Sequence, residues 1–187
     1  MNTPSSISRR INDCLQAYAR ADHEGALVHL FPALDKVAKR RRPRPGVGDR
    51  IRSFLSDEEG LISAVATGSV LQRITVNGVS FPEAIYRFGR TSIAHEGELD
   101  SRLKITTDGS LSIGTVWALP ATYILGLSVA VIAAPESATE RIEGEVTITV
   151  CGTTWRLNDL WGARERLKLS IAAAFGNPQL FRQKGAV

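Results

Sequence analysis

Arg90 and His95 are the two residues of this sequence whose types and spacing point to a reaction. Histidine titrates near neutrality and so takes or gives a proton. Arginine stays cationic and grips phosphate oxygens with a planar fork. Together on one phosphate they would form a metal-free phosphodiester-cleaving site. His95 would activate a ribose 2′-hydroxyl as general base and then act as general acid, and Arg90 would hold the charge developing on phosphorus. The five-residue step leaves them about 140° apart on an ideal helix. A shared cleft therefore needs the last turn to loosen or a second subunit to complete the site.

The element that must position them spans residues 81–99. Pro82 suits the first helical position and Ser80 the cap before it. Ile85, Phe88 and Ile93 lie roughly on one side, with Tyr86 beside them, and Gly97 can take the left-handed turn that stops a helix. A bland reading stands beside the chemical one. Arg90 can pair with Glu83, Glu96 or Glu98, Glu83 with Arg87 is an ordinary i,i+4 pair, and His95 suits a helix C-terminus.

The flanking sequence reads as mainly α, a helical bundle with five to seven helices and small β-hairpin elements. A first helix is expected over residues 6–21 and a second, capped by Asp22, over 23–41 with a kink at Pro32. Two further helices follow over 48–55 and 57–66, the second opened by Ser56 with Glu59 as a capping box. Asn77 and Gly78 make a hairpin. A second hairpin is expected from Leu103, through a turn at Asp108 and Gly109, to Trp117. Residues 121–134 form a helix buried on nearly all sides, too short for the roughly 20 residues of a membrane span. The octet 74–81 is echoed by 148–155, both with Ile-Thr-Val, then a glycine, then an aromatic. The last helix is expected to be capped by Asn158, and the tail from about 177 to fray.

Composition sets broad limits. The chain has 187 residues, 43% hydrophobic and 22% charged, which suits one domain over 1–187. The net charge of +4 is concentrated in a basic stretch, with Lys36, Lys39, Arg40, Arg41, Arg42 and Arg44 close together. A basic loop over about 39–46 follows from this. The two cysteines and three histidines show no metal-ligand spacing or disulfide framework, so no metal or cofactor is expected. The N-terminus lacks the apolar segment of a secretory leader, so a cytoplasmic protein without membrane association is expected.

The sequence from Arg90 through Thr91, Ser92, Ile93 and Ala94 to His95 resembles the signature of the HEPN superfamily, in which an arginine is followed after four to six residues by histidine. That resemblance implies an α-helical domain acting as a homodimer and a metal-independent ribonuclease of toxin–antitoxin or phage-defence type. It carries over Arg90 and His95 as the catalytic pair, with RNA as substrate and a neutralising protein as partner in the toxin setting. Family members often have Asn, Asp or His after the arginine to orient the histidine; here Thr91 stands there. Arg87, Tyr86 and Thr91, together with Arg40, Arg41 and Arg42, are the residues expected to hold substrate. Two other readings compete: a non-catalytic HEPN-like module binding nucleotide, nucleic acid or protein, and a structural or regulatory helical protein in which the spacing is accidental.

Overall fold

The structure, a computed structural model, describes residues 5–181. Three long helices open it: α1 (Ser6–Ala19), α2 (His23–Arg41) and α3 (Val47–Thr67). Ile7, Ile11 and Cys14 form the buried stripe of α1. Asp22 caps α2, its Oδ1 accepting from the Gly25 amide at 2.9 Å. Pro32 lies inside α2 and has no N–H to give to the Val28 carbonyl.

A chain reversal follows, built from β1 (Thr75–Val76) and β2 (Val79–Ser80). Asn77 and Gly78 both take positive φ, 51° and 75°, the geometry of a type I′ turn. The chain then enters α4 (Phe81–Ala84), a π-helical segment at Ile85–Thr91 and α5 (Ser92–Glu96). Ser80 caps this rod on the Glu83 amide at 3.3 Å, and Gly97 ends it at φ 83°.

The middle of the chain forms β3 (Leu103–Thr106), β4 (Ser112–Ile113) and β5 (Trp117–Pro120), ordered β3-β5-β4. The expected hairpin through Gly109 does not form. β3 pairs in parallel with β5, with Leu103 opposite Trp117, while β4 takes the antiparallel edge. Burial decides this: Trp117 and Leu119 are both 1% exposed, so β5 takes the centre. Asp108 instead closes a local turn, accepting from both the amide and the hydroxyl of Ser110.

Next comes α6 (Thr122–Ala133), then β6 (Thr147–Val150) and β7 (Thr153–Arg156), and finally α7 (Arg164–Ala174). The 74–81 and 148–155 echo is a structural repeat, since Cys151 and Gly152 also take positive φ, 46° and 81°. As expected, α6 is buried from Tyr123 to Ala133 with the exception of Leu125's half-buried side chain. Gly126 lets α6 lie directly on α3. A Cβ added there would stand 2.4 Å from the Ile62 carbonyl oxygen.

Three more expectations need correction. The helices over 48–55 and 57–66 are one helix, α3, and Ser56 caps nothing. Ile51, Phe54, Glu58, Leu61 and Ile62 continue one buried stripe through the site of the expected break. Asn158 caps no helix either. Its amide group bridges the Ile142 backbone, accepting from N–H at 3.0 Å and donating to C=O at 3.1 Å. In the tail, Leu180 and Phe181 pack against the core; residues 182–187 of the expected fraying lie outside the described residues. The overall composition is mainly α, and no helix among the described residues is long and apolar enough to cross a membrane.

Candidate functional site

Arg90 lies in the last turn of the π segment and opens onto a cleft of about 480 Å³ between that segment, α1 and α2. Arg10 of α1 and Lys36 of α2 share the cleft, and Phe31, Pro32 and Ile93 give it an apolar wall. The π segment reaches α2 this closely because residue 89 is glycine. A Cβ there would stand 2.9 Å from the Phe31 ring. A π segment inserts residues into a helix and is often found at functional sites.

The charges in this cleft do not cancel. Asp35 is its one acid, and Arg50 binds it at 2.8 Å. Arg10 meets His29 Nδ1 at 3.2 Å, and Lys36 donates to the Ser6 hydroxyl. Among the described residues the Arg90 guanidinium has no hydrogen-bond or ion-pair partner. An arginine with a free fork beside two more cations is suited to an oxyanion, and the apolar wall to an organic body attached to it.

His95 follows Ala94, which lines the cleft, but is not itself part of the lining. It is exposed at the end of α5 and without a partner among the described residues. Thr91 does not orient it, since the Thr91 hydroxyl is buried and makes no hydrogen bond among the described residues. Tyr86 stacks under Arg52, whose guanidinium carbon lies 4.9 Å from the ring centre. Arg87 meets Glu83 at 3.5 Å, the i,i+4 pair read from the sequence. Neither Tyr86 nor Arg87 lines the Arg90 cleft.

Arg40, Arg41 and Arg42 lie elsewhere. Of the expected basic loop over about 39–46, residues 39–41 belong to the end of α2 and 42–46 are irregular, and Arg40, Arg41 and Arg42 are spent on internal ion pairs. Arg40 binds Glu140 at 3.0 Å. Arg42 grips Asp57 through two nitrogens, at 2.8 and 3.2 Å. Arg41, only 10% exposed, reaches Glu58 at 2.8 Å, Glu136 at 3.0 Å and Asp57 at 3.1 Å. Glu58 is fully buried and also meets Arg164 at 3.0 Å and Lys168 at 3.3 Å. One buried carboxylate thus ties α2, α3 and α7 together.

This network makes stability depend on pH. Burial pushes the carboxyls of Glu136 and Glu140 upward, but other effects outweigh it and leave both below the ordinary 4.5. For Glu136 these are the hydrogen bond and charge of Arg41, and for Glu140 the hydroxyls of Ser5 and Ser8 with Arg40. A folded value below the unfolded one gives stability that is complete above about pH 4.5 and lost as pH falls through the folded value. Glu59 works the other way. Burial raises its carboxyl despite amide hydrogen bonds from Ile74 and Arg73, so its contribution is lost as pH rises. The urea midpoint should therefore fall below about pH 4.5, where the Glu136 and Glu140 contributions are lost, while Glu59 acts in the opposite sense above that value. Glu136→Gln should flatten that fall; an equally steep fall in the variant would remove Glu136 as a cause.

Sequence reasoning missed Arg10 as a neighbour of Arg90, because α1 and the π segment are brought together only by the fold. It also missed the buried pair Glu58 and Glu59. Their signal was present: Glu58 falls seven residues after Ile51 and four after Phe54, on the apolar stripe. Among the described residues no group of three or more His, Cys, Asp or Glu is placed to hold a metal ion.

The Rv1289 family profile matches residues 6–182. "Uncharacterized protein Rv1289" of Mycobacterium tuberculosis (strain ATCC 25618 / H37Rv) is 24% identical over 187 residues, covering 87% of this chain and 86% of its own length. "Uncharacterized protein Mb1320" of Mycobacterium bovis is similar to the same extent. No solved structure matches the chain.

Proposed function

This chain belongs to the Rv1289 family, and we propose that its Arg90 cleft binds the phosphate backbone of single-stranded RNA, as a HEPN-like nucleic-acid-binding module. The observation that carries this reading is the unpartnered Arg90 guanidinium beside Arg10 and Lys36, next to the apolar wall of Phe31, Pro32 and Ile93. Phosphates supply charge to the cations, and a base supplies a flat face to the wall. Arg90→Ala is expected to weaken binding of a labelled single-stranded RNA about 10-fold or more, a loss of ~1.4 kcal/mol. The slope of affinity against salt should also drop by about one contact's worth. A folded Arg90→Ala protein that binds RNA as tightly as wild type would sink this reading.

A second reading, a metal-independent endoribonuclease acting as a homodimer, is favoured by one observation. His95 is exposed, free of partners and one residue beyond the cleft rim at Ala94. In this reading His95 takes the 2′-hydroxyl proton of a nucleotide whose phosphate rests on Arg90. Cleavage of RNA in EDTA should then occur in wild type and vanish in both His95→Ala and Arg90→Ala. A wild type that binds RNA and leaves it intact removes the nuclease reading and keeps the binding one. In the toxin setting a neutralising protein would cover this same cleft.

A further inference from the structure

A second cleft, of about 510 Å³, lies where α3 meets the loop before β1 and the start of α4. Arg42, Arg52 and Arg73 line it, together with Ser53, Ser56 and Ser80. We propose that this cleft binds a small molecule bearing a phosphate monoester.

The acceptors in the cleft are spent. Both oxygens of Asp57 are taken by Arg42, at 2.8 and 3.2 Å. Both oxygens of Glu59 are taken by backbone amides, Arg73 at 2.9 Å and Ile74 at 3.0 Å. Glu59 is only 4% exposed, so it serves as a fixed post for the loop and offers little to a ligand.

Arg42 and Arg52 are engaged by carboxylates, but four other donors are not spent. Among the described residues, the Ser53 and Ser56 hydroxyls have no partner. They are three residues apart on α3 and so face the same way. The Ser80 oxygen accepts from the Glu83 amide, which leaves its own proton free to donate. The Arg73 guanidinium has no partner among the described residues. Arg52 is shared between Asp49 at 2.8 Å and Glu83 at 3.3 Å. A site with free donors and committed acceptors calls for an anion rich in acceptors. A phosphate monoester presents three terminal oxygens in three directions, matching hydroxyls from α3 and β2 and a fork from the loop. The volume exceeds what a bare phosphate needs and falls in the range of small-molecule pockets.

The backbone at Arg73 supports the same conclusion. Its φ is 58°, a conformation that suits glycine better than arginine. Strained positions of this kind persist where the surroundings fix them and cluster at ligand sites. Here the Glu59 carboxylate fixes the loop and leaves the arginine side chain to the cleft.

The test is isothermal titration calorimetry of the full chain with ribose 5-phosphate, ribose and inorganic phosphate. Ribose 5-phosphate should bind, inorganic phosphate should bind more weakly, and ribose should give no saturable heat. Arg73→Gln keeps the amide that Glu59 holds and should weaken ribose 5-phosphate binding about 10-fold or more. The Ser53→Ala, Ser56→Ala double variant should weaken it as well, and unchanged urea midpoints would show that both proteins fold. The proposal is overturned if ribose 5-phosphate does not bind, or if it binds these folded variants as it binds wild type. Loss in Arg90→Ala with retention in Arg73→Gln would assign the ligand to the other cleft and also overturn it.

Discussion

Glu58→Ala should lower the stability of the fold by about 3–5 kcal/mol. The substitution removes a fully buried carboxylate and leaves Arg41, Arg164 and Lys168 facing one another around the gap. Each of those cations has lost water to be there. Arg41 keeps Glu136 and Asp57, but Lys168, 17% exposed, has no other carboxylate within ion-pair distance among the described residues. The penalty comes from uncompensated charge more than from the attraction lost, so replacing Glu58 together with its cations by apolar residues should be far milder. Urea denaturation followed by circular dichroism measures this. A Glu58→Ala unfolding free energy within about 0.5 kcal/mol of wild type, the range of ordinary surface changes, would show that the hub contributes little.

The second large effect is at Gly126. In an unconstrained helix interior, glycine to alanine gains about 1 kcal/mol. Here the added methyl carbon would lie 2.4 Å from the Ile62 carbonyl oxygen, which belongs to the α3 backbone and cannot rotate away. α6 must shift off α3, and the buried residues on both sides lose their fit. Gly126→Ala is therefore expected to destabilise by about 2–3 kcal/mol net, and Gly126→Val by more. Thermal unfolding would show a lowered Tm for both, in that order. A rise in Tm for Gly126→Ala would mean that the two helices can separate at little expense.

The local punctuation of the chain was legible in its residues. Asp22 and Ser80 cap where a short acceptor side chain should, Gly97 stops its helix, and Asn77 with Gly78 turns its hairpin. Each is decided by conformational preferences within a few residues. The errors lie where distant partners decide. Ser56 through Glu59 has the form of a cap. Arg41, Arg164 and Lys168, far away in sequence, make it possible to bury Glu58 mid-helix instead. The Leu103 strand pairs with Trp117 in parallel because Trp117 and Leu119 must be covered, and no turn residue announces that. The π segment has no mark in the sequence beyond Gly89, whose absent side chain admits Phe31. Of the candidate site, Arg90 was found by type and spacing. Its neighbours Arg10 and Lys36 come from other helices, and Arg73 was hidden in a loop that a buried glutamate shapes.

The seat that α3 offers to α6 also has a consequence for the chain as it is made. α3 ends at Thr67 and α6 at Ala133, so 66 residues must follow before the partner helix is complete. At about 5–20 residues per second, the first three helices spend roughly 3–13 s on the ribosome with that apolar seat vacant. The interval is long compared with helix formation and collapse, which take microseconds. The nascent N-terminal half therefore carries that apolar seat uncovered until α6 is made.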